Sequence, residues 1–354
     1  MLEQYKINSS YSVKEAIQRM EDYGIPVVFI LGDNEILEGI FTLGDMRKFI
    51  LQNGTLTVSI QEAMNPNPVL FSSLKEAEKA KEEKKMQVYP IVDQKHRLID
   101  ALFERDWDGH DSEKVINDSL ADVPLVIMAG GKGTRLHPYT KVLPKALIPI
   151  GDLTITERII NRFAQYGCKD VFLILNHKSN MIKSYFNELE TDYKVHYIEE
   201  NTFLGTGGGL QLLKGKIQST FILSNCDVLI NDDLECIYRT HVMKKNKITF
   251  VCAMKSLPIS YGVVETDTDG NIIRLKEKPE VSFLTNTGVY VIEPEVIDQI
   301  ASGEYIDFPD IAQRCINEGS TVGVFPVSEK SWLDMGKFNE MEEMTKRLKL
   351  RGEI

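Results

Sequence analysis

The sequence predicts an α/β fold: a mostly parallel sheet covered by helices on both faces, joined to an antiparallel lobe and preceded by a repeated N-terminal module. Three observations predict it. From Leu125 onward, short apolar runs alternate with helical patterns, as strands joined by crossover helices do. After Met254 the alternation gives way to paired strands around an Asp269-Gly270 turn, an antiparallel lobe expected to lie against the parallel sheet. In the first third, Ser12-Val-Lys-Glu-Ala recurs as Ser73-Leu-Lys-Glu-Ala, and Ile30 to Asp45 aligns with Ile91 to Asp106 at the same offset of 61 positions.

Both copies of the repeat read helix, apolar strand (Val27 to Ile30; Tyr89 to Val92), polar turn, second strand, aspartate. The helix from Leu74 is nearly all charge and reads as a solvated face. Residues 108 to 123 are polar and turn-rich. The expected division is therefore a module pair over 1–118 (about 1–57 and 58–118), a linker at 119–123 and a second domain over 124–354.

In that second domain, Leu125-Val-Ile-Met is a buried strand that breaks into glycines. Thr154-Ile-Thr-Glu157 predicts a capping box opening a helix with Ile159, Ile160, Phe163 and Tyr166 on one face, closed by Gly167. Val171 to Leu175, Lys194 to Ile198 and Thr220 to Ser224 are strands. Lys178 to Leu189 and Gly207 to Leu213 are helical, and Phe338 to Leu350 is an amphipathic C-terminal helix.

A length of 354 residues favours two domains over one. A net charge of −11 argues against a nucleic-acid partner, and no apolar run is long enough to span a bilayer. The five cysteines show no C-x-x-C pairing, and Met1-Leu-Glu-Gln-Tyr-Lys is not a signal peptide, so a reducing, cytoplasmic setting is expected, with no membrane partner.

Chemistry concentrates in Ala129-Gly130-Gly131-Lys132-Gly133-Thr134-Arg135-Leu-His-Pro-Tyr-Thr140, followed by Pro144-Lys145-Ala-Leu. Glycines let backbone N–H groups approach an anion, and an arginine and a lysine complement phosphate oxygens. It is not a Walker A loop, since no Gly-Lys-Ser/Thr occurs, and Leu136 replaces the third glycine of a dinucleotide fingerprint. Asp227 ends a strand in Leu-Ser-Asn225-Cys226-Asp227, where it would ligate Mg²⁺ or cap the helix from Asp232.

The extended pattern G-G-x-G-T-R-L-x-P-x-T with P-K-A-L resembles the signature of the sugar-1-phosphate nucleotidyltransferases. The resemblance implies their Rossmann-like nucleotide-diphospho-sugar transferase fold with an antiparallel sugar-binding lobe. It implies metal ligands at Asp227 and at Asp334 of Trp-Leu-Asp-Met-Gly336, and catalytic roles for Arg135, Lys145 and Asp227. Cys226 and Lys337 depart from the family's common glycine and threonine. Nucleotide contacts are expected from Gly130, Gly131, Gly133, Thr134, Glu200, Asn225 and the loop Gly205-Thr206-Gly207. Its Thr-Gly form resembles guanylyltransferases, and Glu199 or Glu200 would accept from the N1–H and amino group of guanine. Gly262, Glu277, Lys278, Asn286 and Gly288 are expected on the sugar phosphate.

The N-terminal pair resembles a CBS tandem, whose cleft binds adenine nucleotides. Gly39-Ile-Phe-Thr42-Leu-Gly-Asp45 fits the ribose-and-phosphate motif; in the second copy Asp100 and Phe103 depart from it, while Asp106 remains. A module that binds no ligand is the competing reading.

The expectation is therefore a homo-oligomeric enzyme transferring GMP from GTP to a sugar 1-phosphate with Mg²⁺. CBS-fused members resemble suppliers of GDP-glucosamine for legionaminic acid, so glucosamine 1-phosphate leads over mannose and heptose 1-phosphates. Two alternatives stay open: the same fold using another NTP or phosphocholine, and a nucleotide sensor with an inert transferase half. The sensor predicts missing ligands, yet Arg135, Lys145, Asp227, Lys278 and Asp334 are present.

Overall fold

The computed structural model describes residues 2–53, 55–83, 86–103 and 118–354. By contact, the chain divides into two compact units, Met1–Glu113 with Met254–Leu284, and Lys114–Ala253 with Thr285–Ile354.

The second unit is built on a sheet of seven strands: β1 (Leu125–Met128), β2 (Asp170–Leu175), β3 (Lys194–Glu199), β4 (Phe221–Asn225), β6 (Ile248–Pro258), which belongs to this unit as far as Ala253, β7 (Glu280–Ile292), which belongs to it from Thr285, and β8 (Val322–Ser328). A separate pair is formed by β5 (Val228–Ile230) and β9 (Trp332–Asp334). The sheet order is β3-β2-β1-β4-β7-β6-β8. Strands β3, β2, β1 and β4 are mutually parallel, and β7 runs antiparallel to β4.

The wholly apolar β1 has two faces in two cores. Leu125 and Ile127 pack with Val171, Leu173 and Leu175 of β2, whereas Val126 packs with Phe172 and Ile174. Period-2 alternation thus persists inside a run without a polar residue, because helices bury both faces. Val126, Leu125 and Phe221 have no exposure at all, and truncating such a side chain to alanine costs roughly 2–5 kcal/mol.

The helix Ile155–Ala164 starts as expected, with Glu157 N–H donating to Thr154 Oγ1 at 3.2 Å. The reciprocal half of the box is diverted: Glu157 accepts instead from the Tyr185 hydroxyl at 2.6 Å. Leu120 and Val123, expected in a linker, are buried in this unit's core, and Leu120 N–H donates to Tyr166 O at 2.8 Å. Packed structure therefore begins ahead of Pro124.

In the first unit the repeat is real in three dimensions. The pairing Val27↔Thr42, with a register shift after Ile30, recurs as Val88↔Phe103 with a shift after Ile91, each 61 positions on. The first copy contributes the helix Val13–Tyr23, opened by a complete Ser12/Glu15 capping box, and the helix Leu43–Asn53. The charged helix Leu74–Glu83 buries only Ala77, as a solvated face should. Residues 254–284 group with this unit, whereas the sequence reading joined their lobe to the parallel sheet. Their hairpin pairs Val263–Thr266 with Ile272–Lys276, and its turn is organised by Asp267, which accepts from the Asp269 and Asn271 N–H groups at 3.0 and 2.8 Å.

Candidate functional site

The chain runs β1 to β2 to β3 toward one edge of the sheet, then returns to place β4 on the other side of β1. Connections leaving β1 and β4 diverge there, opening a crevice at their carboxyl ends. Ala129-Gly130-Gly131 follows β1, and Cys226-Asp227 follows β4. Glu200 follows β3, joined to the turn after β2 by Asn176 Nδ2 donating to Glu200 O at 2.6 Å.

A cavity of about 270 Å³ opens at this point, lined by Gly130, Gly131, Gly133, Thr134, Arg135 and Lys145, and also by Glu200, Gly205, Thr206, Asn225 and Asp227. A second cavity shares Arg135, Thr206, Asn225 and Asp227 with it and adds Asn286, Gly288 and Asp334. One cleft therefore gathers most of the expected residues. Gly262, Glu277 and Lys278 belong to the other unit, and Asp106 lies outside the described residues. Gly207 lines neither cavity; its α-carbon faces the Phe308 backbone.

Two glycines show how closely the backbone packs around the cleft. Gly133 has φ +62°, and an ideal Cβ there would come within 2.9 Å of Thr140 Cγ2 and 3.1 Å of Lys145 Cβ. Thr140 locks the turn by donating to Gly133 O at 2.8 Å. The turn thus lies against the lysine that shares its motif. At Gly208 a Cβ would meet Glu304 O at 2.3 Å, so the loop 204–209 is glycine-rich because it packs on residues 304–308.

The joint between those two segments is a cap exchange. Thr206 donates its N–H and its hydroxyl to Asp307 Oδ1, at 2.8 and 3.1 Å, while Phe308 N–H donates to Thr206 Oγ1 at 3.1 Å. Asp307 stands at the N-cap of the helix Phe308–Asn317 but makes no cap bond of its own; the threonine supplies one. Sequence reading missed Asp307. Its Asp-Phe-Pro context signals a helix start, but nothing in it names a partner a hundred residues away. It also missed Lys178, whose ammonium donates to the carbonyls of Thr140, Lys141 and Val142 at 3.0, 2.7 and 2.9 Å and ties down the segment after the glycine turn.

Lys145 is ion-paired with Asp227, and both side chains are largely buried. Burial pushes the ammonium pKa down, but the charge and hydrogen bond of Asp227, with Asp334 beyond, outweigh it and hold it above its ordinary value. Lysine therefore stays charged here. Strand pairing sets the second carboxylate: Val228 is opposite Asp334, and Met335 N–H donates to Asp227 O at 2.9 Å. Asp227 is not a helix cap; Asp233 caps the helix Leu234–Lys244 through Cys236 N–H at 3.0 Å.

The Asp334 carboxyl is pushed up to about 6, first by burial and then by Asp227 and Glu340. The pair thus gathers more negative charge than Lys145 offsets, which fits a second cation. Among the described residues no cluster of three or more His, Cys, Asp and Glu forms. Two carboxylates suit Mg²⁺, which takes few protein ligands and completes its shell with phosphate oxygens and water. Cys226 beside Asp227 is buried, its thiol raised to about 12, and is inert.

Glu199 and Glu200 separate cleanly. Glu199 is exposed and pairs with Lys183. Glu200 is 4% exposed. Its Oε1 accepts from Leu204 N–H at 3.2 Å, whereas Oε2 is buried without a hydrogen-bond partner among the described residues. Burial raises its pKa, partly opposed by the Leu204 N–H. A Cβ built on Gly130 would lie 3.1 Å from that oxygen, so the orphan acceptor stands at the root of the glycine turn.

In the second cavity, Gly288 (φ +85°) lies against Asn225, whose amide nitrogen would be 2.3 Å from an added Cβ. Asn286 accepts from Gly288 N–H at 3.0 Å and donates to the Tyr290 hydroxyl at 2.8 Å, which fixes its amide. In the first unit, Asp45 Oδ2 accepts from the Thr42 N–H and hydroxyl at 2.9 and 2.7 Å, while Asp45 N–H donates to Thr42 Oγ1 at 3.2 Å.

Comparison with known proteins gives the family. Residues 125–350 match the family model for nucleotidyl transferases, and residues 2–52 match that for the CBS domain. Bifunctional protein GlmU of Methanococcus aeolicus is 33% identical over 220 residues, 60% of this chain and 51% of the relative. A UTP–glucose-1-phosphate uridylyltransferase of Synechocystis is 32% identical over 233 residues, 60% of each chain. A mannose-1-phosphate guanylyltransferase of Mycobacterium tuberculosis is 30% identical over 219 residues, 60% of this chain and 61% of the relative. The alignments thus span about half to three fifths of these relatives' lengths. Among solved structures, HddC from Yersinia pseudotuberculosis in complex with GMP-PN has a TM-score of 0.50 at 20% identity, covering 64% of this chain and 99% of that one. That likeness shows the shared fold. Among the described residues no helix is long and apolar enough to cross a membrane.

Proposed function

The chain belongs to the nucleotidyl transferase family and carries an N-terminal CBS domain, and from that premise we propose that it is a sugar-1-phosphate guanylyltransferase. It would transfer GMP from GTP to a sugar 1-phosphate, glucosamine 1-phosphate ahead of mannose or heptose 1-phosphate, and release pyrophosphate for GDP-sugar synthesis. The observation that carries this reading is one cleft in which a glycine turn, the Lys145–Asp227 pair and an unsatisfied buried acceptor on Glu200 converge.

An oxygen of the sugar 1-phosphate attacks the α-phosphorus of GTP; the new O–P bond forms as the bond to pyrophosphate breaks. That oxygen is already ionised, so the chain needs no general base. Its work is positioning and charge stabilisation. Arg135 and the turn's N–H groups would hold the β- and γ-phosphates. Lys145, kept charged by Asp227, would reach the transferred phosphoryl group. Mg²⁺, held by Asp227 and Asp334, would offset repulsion between the two anions. Thr206 would line the ribose side, and Glu200 Oε2 would accept from the donor edge of guanine. Asn286 and Gly288 would take the sugar phosphate in this cleft; Gly262, Glu277 and Lys278, in the first unit, are assigned to the same substrate by the family resemblance alone.

A second reading has support from the uridylyltransferase relative, which makes UTP the competitor to beat. Pyrophosphate release over a grid of NTPs and sugar 1-phosphates with Mg²⁺ decides between them. GTP with an amino-sugar 1-phosphate should turn over fastest; preference for UTP or dTTP would overturn the guanine assignment.

A further inference from the structure

The residues assigned above to the sugar phosphate, Glu277 and Lys278, stand on an arm, residues 254–284, that is built into the N-terminal unit. Met254, where the arm begins, is buried in the apolar cluster of the repeated module, together with Val13, Ala16 and Ile17 of the helix Val13–Tyr23. Ser256 and Ser282 hydrogen-bond at 2.8 Å across the arm's two strands, and Ile259 N–H donates to Pro279 O at 2.9 Å. Lys14, in the first turn of that same helix, is ion-paired with Glu280, whose side chain is only 15% exposed.

Lys14 is an odd choice for its own helix. A cation in the first turn opposes the helix dipole, which favours negative charge at that end. Glu280 accounts for it: a largely buried carboxylate requires a partner, and the lysine provides one. Close to that anchor the arm stores strain. Lys278 has a left-handed backbone, φ +42°, which a non-glycine residue keeps only where its surroundings over-determine it. Glu277 lies beside Gly262, where an added Cβ would come 3.1 Å from Glu277 Oε2.

We infer that Lys14 is a positioning residue for the sugar-phosphate arm: through Glu280 the N-terminal module holds Glu277 and Lys278 in the geometry that receives the sugar 1-phosphate. The inference rests on the assignment of those two residues in the proposed function. It gives the module a task in the transfer reaction that requires no ligand of its own.

The test uses the full chain with Lys14→Glu, Glu280→Lys, the double exchange and the neutral Lys14→Met. Each single change should raise the KM for the sugar 1-phosphate about threefold to tenfold with the KM for the NTP unchanged, and the exchange should recover most of it. Amide hydrogen exchange over residues 259–279, read without substrates, should quicken in Lys14→Glu and Lys14→Met and return to the wild-type rate in the double exchange. Unchanged exchange in both Lys14 variants overturns the inference, as does a KM change that the exchange of charges fails to restore. If the wild type turns over no pair of substrates, the proposed function fails by itself, and the exchange rates still decide whether Lys14 holds the arm.

Discussion

Two regions carry motifs of polar residues beside a strand end, and the structure treats them in opposite ways. At Thr42 and Asp45 the hydroxyl, the carboxylate and both N–H groups bond to one another at 2.7 to 3.2 Å and cap the helix Leu43–Asn53. In the cleft after β1 and β4, the Lys145–Asp227 pair apart, polar groups are left open. Glu200 Oε2 is buried and orphaned, and Asp334 is raised to about 6 beside a second carboxylate. An unsatisfied buried acceptor costs about 1–3 kcal/mol, and a fold retains that cost where a ligand removes it. The lesson is to look for polar groups that the chain alone cannot satisfy; a matched motif whose groups satisfy each other is explained by local structure first.

The largest break of this contrast comes from Asp227→Asn. It removes the counter-charge of Lys145 and one of two candidate metal ligands together, and kcat should fall about 10³-fold or more with the fold intact. Near-normal turnover with Mg²⁺ would remove Asp227 from the chemistry. Next is Glu200→Gln, which leaves the side-chain volume but halves its acceptor capacity. The KM for GTP should rise about 10- to 100-fold, and discrimination against ATP should shrink. A GTP KM within twofold of wild type would mean that the orphan oxygen does not face the base.

Asp45→Ala sharpens the other side of the comparison. Loss of the carboxylate half of the Thr42–Asp45 cap, with the residue-45 N–H still donating to Thr42 Oγ1, should cost about 1 kcal/mol, seen as a melting temperature about 2–4 °C lower, with steady-state kinetics unchanged. Calorimetric titration with AMP and ATP is the counter-check: nucleotide binding by the wild type that Asp45→Ala abolishes would turn the cap into a site.

The smallest effect belongs to a third buried polar group that is closed on itself. His241 has no exposure and bonds Thr249 Oγ1 at 2.8 Å and Glu293 Oε1 at 3.0 Å. Burial lowers its pKa below the ordinary value, with Glu293 opposing. The unfolded chain therefore binds the proton more readily, and stability should fall as pH drops below about 6.5. Urea midpoints at pH 7.5 and 5.5 should differ for the wild type and differ less for His241→Gln.

Much of the fold was legible because its signals are local. The apolar runs of β1, β2 and β4, the turn at Gly270 (φ +86°) and the offset of the repeat reappear at or close to their expected residues. Within the cleft, Gly130, Gly131, Gly133, Thr134, Arg135, Lys145, Asp227 and Asp334 were legible from motif and resemblance. Asp307 and Lys178 were not, since each acts on a segment distant in sequence through bonds that leave no mark in their own neighbourhoods. The half-formed box at Thr154 failed for the same reason: Tyr185 competes for Glu157 across the fold.

By itself the sequence determined the family, the parallel sheet and the position of the glycine turn after its first strand, because strand pattern, glycine placement and charge are written in consecutive residues. Only the tertiary structure decided which of two adjacent glutamates is buried unsatisfied and which pairs with Lys183. It also decided that the arm bearing Glu277 and Lys278 belongs with the N-terminal module. Burial and partnership are set by what packs alongside a residue, and those neighbours come from elsewhere in the chain.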